Sequence, residues 1–306
     1  MKLLLIGLSA VLLERLLGEP RRWQPLAGFA WLIQHVEDRC YGPAELRPGL
    51  RTVLGVVALL VLLLPFALAA WLLVKIPYLG WMAAIAIVYL ALSTAPTKRQ
   101  LGAVGQALQQ AELEQARQAL RPLIDYDTEN LDEQAISQAA VEVALEQSGD
   151  GLFGVLFWLL LAGAPGAVIY RLVVAVDAQW GYSTPRYRDF GWATARLAAL
   201  LRWIPAQLIA LSYSLAGDRE TAWRCWRRQA NNWPNPAVGT LLATGAGALN
   251  LQLGGPVHYF DKQIVRPTLG DGVLPRHQDI SRTLQLIDRA LLVWVIALAL
   301  TGWLLA

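Results

Sequence analysis

The sequence predicts an all-α, polytopic membrane protein, a helical bundle of about four or five spans with additional amphipathic and re-entrant helices. Composition is the first observation, since 56% of the 306 residues are hydrophobic and only 16% are charged. A soluble domain would carry roughly 25% charged residues. The mean hydropathy of +0.40 agrees. The 13 tryptophans and 9 tyrosines suit a protein that crosses two water–lipid interfaces.

The first third of the chain predicts a retained helix and a helical hairpin. Residues 1–13 are apolar, but charged residues follow at once without a small-residue cleavage site, so we expect a helix that is not removed. Residues 52–74 and 76–97 are free of charge and separated by Lys75. Each is long enough to span a bilayer. Residues 15–51 carry arginines but no lysine, which places both flanks of the hairpin in the cytoplasm.

The middle of the chain, residues 98–150, predicts an acidic cytoplasmic segment of two helices. Apolar residues recur at helical spacing over residues 101–123, so we expect one amphipathic helix lying on the bundle or at the interface. A second helix is expected to begin near Asp127 or Thr128, both good N-caps, and to run to about Gln147.

The apolar segment 151–170 is interrupted by Gly163 and Pro165. A straight span here would put Asp150 and Asp177 on opposite sides of the membrane. A re-entrant hairpin at the glycine and proline would keep them together, and we predict that the two aspartates lie on the same side.

Two later charge-free stretches look re-entrant or buried. Residues 203–217 are short for a span, and residues 234–260 are rich in Gly, Asn and Pro. Irregular backbone at membrane depth must be covered by protein or line a cavity. Residues 290–306 predict a short terminal span. We treat 1–306 as a single membrane-embedded domain with parts 1–97, 98–150 and 151–306.

The candidate chemistry starts from three carboxylates. Glu142, Glu146 and Asp150 are spaced by four, which puts them on one face of a helix. Like charges repel unless a cation intervenes, and Mg²⁺ typically takes one or two carboxylates together with substrate phosphates. The alternative is a solvated helix face. Asp127 is open to the same two interpretations, a helix N-cap or a metal ligand.

A basic, aromatic run follows, and it contains Arg171, Tyr182 and Arg196. Arginine clamps phosphate and carboxylate groups, and aromatic rings stack on flat ligands. A membrane-interface belt explains the same composition. The net charge of +3 is dispersed, which argues against nucleic-acid binding. The sequence contains no P-loop, Rossmann glycine fingerprint, nucleophile elbow or HExxH motif.

The order of motifs resembles the adenosylcobinamide-phosphate synthases of cobalamin biosynthesis, the CobD/CbiB membrane proteins. The resemblance covers most of the chain and rests on the ordered set, because no single motif is decisive. In chain order the motifs are Gly18-Glu19-Pro20-Arg21-Arg22-Trp23, Asp127-Thr128, Leu131-Asp132-Glu133, Glu142, Glu146, Asp150-Gly151, Leu156-Phe157-Trp158, Gly163-Ala164-Pro165-Gly166, Tyr170-Arg171, Asp177, Trp180-Gly181-Tyr182, Phe190-Gly191-Trp192, Ala195-Arg196, Pro205-Ala206, Pro234-Asn235, Leu253-Gly254-Gly255-Pro256, Gly270-Asp271-Gly272 and Asp279-Ile280.

The resemblance implies an amide ligase that joins adenosylcobyric acid to an aminopropanol or its phosphate, using ATP and Mg²⁺. It implies a multi-pass protein of the bacterial inner membrane whose partners are the corrinoid, the amino alcohol and the lipid bilayer. Other corrinoid-assembly membrane proteins or a second copy of the chain could join it. Its implied site residues are Glu142, Glu146 and Asp177 (catalytic), Arg171, Tyr182, Arg196 and Asn235 (substrate-binding), and Asp127 and Asp150 (metal-binding).

The sequence also departs from the family pattern, mostly by losing polar groups where a ligand would need them. The departures are Tyr126, Gln147, Val174, Ala198, Ala199, Arg202 and Gln207. They leave open a catalytically degenerate paralogue with a regulatory or sensory role on the same scaffold, as in AmpE-type proteins. A transporter is a third hypothesis, suggested by the broken apolar segments, although no inverted repeat supports it.

Overall fold

The computed structural model describes residues 2–18, 25–43, 47–181, 184, 186–259 and 262–304. The helices are α1 (Lys2–Leu17), α2 (Pro25–Cys40), α3 (Pro48–Val74), α4 (Gly80–Ala91), α5 (Thr94–Gln109), α6 (Leu113–Leu120), α7 (Glu133–Ser148), α8 (Gly154–Trp180), α9 (Tyr187–Phe190), α10 (Trp192–Ala216), α11 (Arg219–Gln229), α12 (Pro236–Leu249) and α13 (His277–Leu304). Two strands, β1 (Leu253–Tyr259) and β2 (Lys262–Leu269), form an antiparallel hairpin. The predicted helical membrane class is confirmed.

Within the described residues, five helical segments are long and apolar enough to cross a membrane. They are Pro48–Val74, Gly80–Gln109, Glu133–Trp180, Trp192–Ala216 and His277–Leu300. The number agrees with the expected four or five.

The chain forms two compact units. The first unit consists of Met1–Ser93 and Asp150–Arg202, and the second consists of Thr94–Gly149 and Trp203–Ala306. Both are discontinuous in sequence.

The core of the first unit lies between α2, α3, α8 and α9, where Ile33, Leu62, Val173, Trp180 and Phe190 are buried together. The predicted hairpin of α3 and α4 is present, because the two helices pack against each other across a short turn. Its tightness demands glycine at one end of the turn.

That glycine is Gly80, where a Cβ atom would lie 2.0 Å from the carbonyl oxygen of Val74. No other residue fits so close to the backbone.

The helix α8 turns back on itself at Gly163, as expected for a re-entrant hairpin. Gly163 has φ 70° and ψ −169°, which no helical residue adopts. A straight helix would separate Gly154 from Tyr170 by about 24 Å. Instead, a Cβ atom at Gly154 would lie 2.2 Å from the Tyr170 hydroxyl. The chain therefore turns back at Gly163, and Pro165, which lacks an N–H, begins the second arm.

The second unit is built around α12, whose residues from Ala237 to Leu249 are all buried. This confirms that the first part of 234–260 is buried. The remainder was not predicted to be extended, yet it forms β1. Gly254 and Gly255 both have positive φ and mark a shift in the strand register.

Four sequence predictions about helix boundaries are wrong. Residues 101–123 are not one helix, because the chain turns at Ala111 (φ 58°) between α5 and α6. The next helix does not begin near Asp127 or Thr128. Its N-cap is Asp132, which accepts a 2.8 Å hydrogen bond from the Ala135 amide.

The other two errors concern the last third of the chain. Residues 203–217 are not a separate re-entrant segment, because α10 begins at Trp192 and continues through Arg202. The terminal helix begins at His277 and not near residue 290. Both helices continue through charged residues, Arg202 in α10 and Asp288 in α13 among them.

Candidate functional site

The predicted acidic face is divided between two clusters, one in each unit. Glu142 lies in the second unit and binds Arg266, whereas Asp150 lies in the first unit and binds Arg202. Each carboxylate therefore has its own arginine. Glu146, one turn after Glu142 on α7, is half-buried.

In the first unit, Arg202 bridges Asp150 and Asp177. Its Nε and Nη2 atoms donate to the two oxygens of Asp150 at 2.8 and 2.9 Å, a bidentate pair. Its Nη1 atom donates to Oδ2 of Asp177. The side chain of Arg202 is 12% exposed and those of both aspartates are 15% exposed. One guanidinium contacts both Asp150 and Asp177, so the two aspartates lie together, which agrees with the prediction that they share one side of the membrane.

Two neighbouring residues on the second arm of α8, Tyr170 and Arg171, lie beside this cluster. The Tyr170 hydroxyl donates to Oδ1 of Asp150 at 3.3 Å. Arg171, a predicted phosphate clamp, donates from Nη2 to the Ser93 hydroxyl at 3.0 Å. The Ser93 amide in turn donates to the Gly151 carbonyl at 3.2 Å. Arg171 therefore binds a serine whose backbone amide contacts Gly151, the residue after Asp150.

In the second unit, Glu142 is 6% exposed and is fully engaged. It accepts from Arg266 Nη1 at 2.8 Å, from the Gly254 amide at 2.8 Å and from Gln138 Nε2 at 3.0 Å. The β-hairpin thus delivers both an arginine and a backbone amide to α7. Burying a charge in this way requires such complete pairing.

Aromatic rings flank the guanidinium of Arg266, whose centre lies 5.3 Å from the Trp233 ring and 6.0 Å from the Tyr126 ring. Burial raises the pKa of Tyr126, and the Glu142 charge raises it further, while Arg266 acts in the opposite direction. Tyr126 is therefore a neutral phenol at physiological pH, able to donate a hydrogen bond.

The remaining predicted residues occupy separate places. Asp127 is exposed and accepts a 2.8 Å bond from the Glu129 amide, so it shapes a turn. Asn235 caps α12 by accepting from the Ala237 and Val238 amides. Arg196 is exposed on α10. Tyr182 lies outside the described residues.

A third acid cluster was missed by sequence reasoning. Glu37 on α2 is 5% exposed and accepts from Trp180 Nε1 at 3.0 Å and from Arg186 Nη2 at 2.7 Å. The Tyr187 hydroxyl donates to it at 3.1 Å. In the sequence Glu37 lies beside Asp38 and Arg39 near the end of α2, which looks like an exposed charged run until the partners of Glu37 are known.

A cavity of about 390 Å³ in the second unit was also missed. Its lining includes the aromatic residues Trp203, Trp223 and Trp226 and the polar residues Arg227 and Asn231. The guanidinium of Arg227 lies 5.6 Å from the Trp223 ring centre. The Trp-x-x-Trp-Arg spacing on α11 was the available signal. A lining of tryptophan rings with an arginine side chain suits an organic anion.

The described residues do not fit the implied two-aspartate metal site. No group of three or more His, Cys, Asp or Glu side chains among them is arranged to hold a metal ion. Both oxygens of Asp150 bind Arg202, and Asp127 belongs to a turn in the other unit. A metal carried by substrate phosphates would need fewer protein ligands.

Comparison with known proteins identifies the family of this chain. The family model described as CobD/Cbib protein matches residues 7–287. The chain is 43% identical over 290 residues to "Cobalamin biosynthesis protein CobD" of Chromobacterium violaceum, covering 93% of this chain and 92% of that protein. It is 42% identical to the protein of the same name from Stutzerimonas stutzeri, over the full length of both. The Yersinia enterocolitica protein of that name is 33% identical over 97% of this chain and 96% of its own length. No solved structure matches.

Proposed function

The chain belongs to the CobD/Cbib family, and from this premise we propose that it acts in cobalamin biosynthesis as the ligase that joins adenosylcobyric acid to an aminopropanol or its phosphate. The observation that carries the proposal is similarity over nearly the whole chain to proteins named for cobalamin biosynthesis. The site of action is the bacterial inner membrane.

The chemistry requires activation, because a carboxylate is a poor electrophile. Transfer of the ATP γ-phosphoryl group to the propionate oxygen gives ADP and an acyl phosphate. The amine then attacks the carbonyl carbon, the C–N bond forms, and inorganic phosphate and a proton leave. The protein would mainly align these groups and stabilise their charge. ATP is therefore a proposed substrate and Mg²⁺ a proposed cofactor, and no protein ligand of the metal is assigned.

The cavity beside α11 supports an organic, anionic substrate. Trp203 and Trp223 supply flat apolar surfaces, and Arg227 supplies a cation in the lining. Among the described residues Arg227 makes no ion pair within 4 Å, so its charge is available to a ligand. Losing a hydrogen bond to a charged group typically costs about 1.5–3 kcal/mol. We therefore assign this cavity a part of substrate binding.

The direct test is product formation by the purified protein in lipid nanodiscs. Adenosylcobyric acid, aminopropanol phosphate, ATP and Mg²⁺ are mixed with the protein, and the amide product is detected by mass spectrometry. We expect product that requires every reactant. Absence of product with folded protein would contradict the proposal.

The cavity assignment has its own test. Arg227→Gln should raise the KM for one substrate by about 10- to 100-fold, in line with the loss of a charged hydrogen bond. Arg228→Gln removes the neighbouring exposed arginine, which does not line the cavity, and should leave KM unchanged. Equal effects of the two changes would contradict the assignment.

A catalytically degenerate relative is the second candidate, and one observation favours it. Asp150, expected as a metal ligand, and Asp177, expected as a catalytic residue, are both engaged by Arg202. On this alternative the protein stays in the membrane and keeps its fold, but the same assay yields no amide.

A further inference from the structure

Three charged side chains in the first unit, those of Asp150, Asp177 and Arg202, are linked to one another by hydrogen bonds. One guanidinium contacts both oxygens of Asp150 and one oxygen of Asp177, and all three side chains are at most 15% exposed. All three also belong to segments long and apolar enough to span a membrane. Ionisable groups in such segments are costly, so their arrangement calls for an explanation.

We propose that Arg202 is a resident cation that occupies what would otherwise be a divalent-cation site between Asp150 and Asp177. The inference concerns the internal charge balance of the fold. It does not depend on whether the chain is an active ligase.

The electrostatics support this assignment. Two buried carboxylates that share one site repel each other strongly unless a cation lies between them. Arginine suits this role because it is always charged and its planar fork matches a carboxylate in a bidentate way. The bidentate geometry at Asp150 uses both of its oxygens, so a metal could bind there only after Arg202 had left.

The position of the cluster in the fold means that Arg202 also cross-links separate helical segments. Asp150 precedes the re-entrant α8, Asp177 lies in the second arm of α8, and Arg202 lies on α10. The guanidinium therefore ties the entry and the exit of the re-entrant hairpin to a third helix. The Tyr170 hydroxyl, also on the second arm, reinforces the tie through Asp150.

The inference predicts a gain of metal binding when the guanidinium is removed. Arg202→Ala leaves two carboxylates facing a vacated volume, and oxygen ligands of this kind are those that Mg²⁺ and Mn²⁺ prefer. Removing one partner of a buried ion pair is also strongly destabilising. We expect the metal-free variant to melt on the order of 10 °C below the wild type, and added Mn²⁺ to restore most of that loss.

The experiment uses the full-length protein in nanodiscs, stripped of metal with a chelator and titrated with Mn²⁺ alone. Thermal unfolding and the electron paramagnetic resonance signal of free Mn²⁺ are recorded together. Arg202→Ala should bind one additional Mn²⁺, and the double change Arg202→Ala with Asp177→Asn should lose it. Arg196→Ala, an exposed arginine of the same helix, is the matched control and should gain no ion.

Two results would overturn the proposal. The first is an Arg202→Ala protein that folds but gains no Mn²⁺, or whose melting temperature Mn²⁺ does not raise. The second needs only the wild-type fold: a Mn²⁺ ion bound by the wild type and lost in Asp150→Asn would show that the aspartates bind metal with Arg202 present. The wild-type measurement keeps the proposal falsifiable if Arg202→Ala does not fold.

Discussion

At the residue scale, two of the buried acids among the described residues each meet an arginine from a distant part of the chain. Glu142 meets Arg266, and Glu37 meets Arg186. The Glu142–Arg266 pair is largely buried on both sides, whereas Arg186 is 53% exposed. A buried pair adds little net stability over an apolar pair, but breaking it by removing one partner is strongly destabilising. The individual charges should therefore be sensitive to substitution.

The Glu142–Arg266 pair gives the first prediction. Glu142→Ala leaves Arg266 without its counter-charge and removes the acceptor for the Gly254 amide. We expect the free energy of unfolding to fall by about 3–5 kcal/mol. Unfolding in mixed micelles by SDS titration measures it.

The control lies on the same helix. Glu133 has a 60% exposed side chain that lies 3.2 Å from His277, an interaction that solvent screens. Glu133→Ala should cost about 1 kcal/mol or less. Comparable losses for the two glutamates would show that the Glu142 pair is not the buried contact described here.

Cys225 gives a prediction about pH. Burial raises the pKa of its thiol to about 11, with a smaller contribution from the Asp271 charge, and Arg224 acts in the opposite direction. Only the thiolate reacts with maleimides, and its population changes tenfold for each pH unit. At pH 7.5 we expect modification of Cys225 to be on the order of 100-fold slower than that of an ordinary thiol, and to accelerate as the pH rises toward 11.

The internal reference is Cys40, which is only partly buried. Mass spectrometry of the folded protein after timed labelling reports both thiols in one sample. Equal labelling rates at pH 7.5 would contradict the burial of Cys225, and equal rates after denaturation serve as the positive control.

At the element scale, the re-entrant α8 decides where the charged residues of the first unit meet. Its two arms approach so closely that a Cβ atom at Gly154 would lie 2.2–2.4 Å from three atoms of the Tyr170 ring and hydroxyl. A tyrosine ring in a packed core cannot move aside cheaply.

The element-scale prediction follows from this contact. Gly154→Ala should destabilise the protein by about 1–3 kcal/mol through overpacking, seen as a lower melting temperature. Gly102→Ala is the matched control, since Gly102 lies in helix α5 with open space around its Cβ position. It should be neutral or stabilising by up to about 1 kcal/mol. A neutral Gly154→Ala would contradict the close approach of the two arms.

Elements with local signals were predictable from the sequence. Gly163 and Pro165 broke the apolar segment 151–170, and the structure turns there. The amphipathic pattern of residues 101–123 was also informative, since three of its apolar residues, Leu101, Val104 and Leu120, are buried.

Elements that depend on distant partners were not predictable. Gly254, Gly255 and Pro256 favour a loop, and only pairing with β2 makes them a strand. Arg202 seemed to end an apolar segment, because its acids, Asp150 and Asp177, lie 52 and 25 residues away. Asp127 was predicted to be an N-cap. Its side chain does accept a hydrogen bond from a nearby backbone amide, as an N-cap does, but this bond closes a turn and does not start a helix.

At the scale of the whole molecule, the family places the chain in cobalamin biosynthesis, and the structure provides a multi-pass membrane scaffold for it. The site residues expected from the resemblance stay predictions. The structure gathers Asp150, Asp177, Tyr170 and Arg171 in one unit and Glu142 in the other. An active enzyme and a degenerate relative would share this scaffold, so only turnover separates them.

The most direct measurement is complementation of a bacterium that lacks its own adenosylcobinamide-phosphate synthase. Growth is scored under cobalamin-dependent conditions with cobyric acid as the only corrinoid, and feeding cobinamide confirms that the remaining pathway works. We predict that this chain restores growth on cobyric acid. Absence of growth on cobyric acid, with the protein present in the membrane and growth intact on cobinamide, would contradict the ligase assignment and favour the degenerate relative.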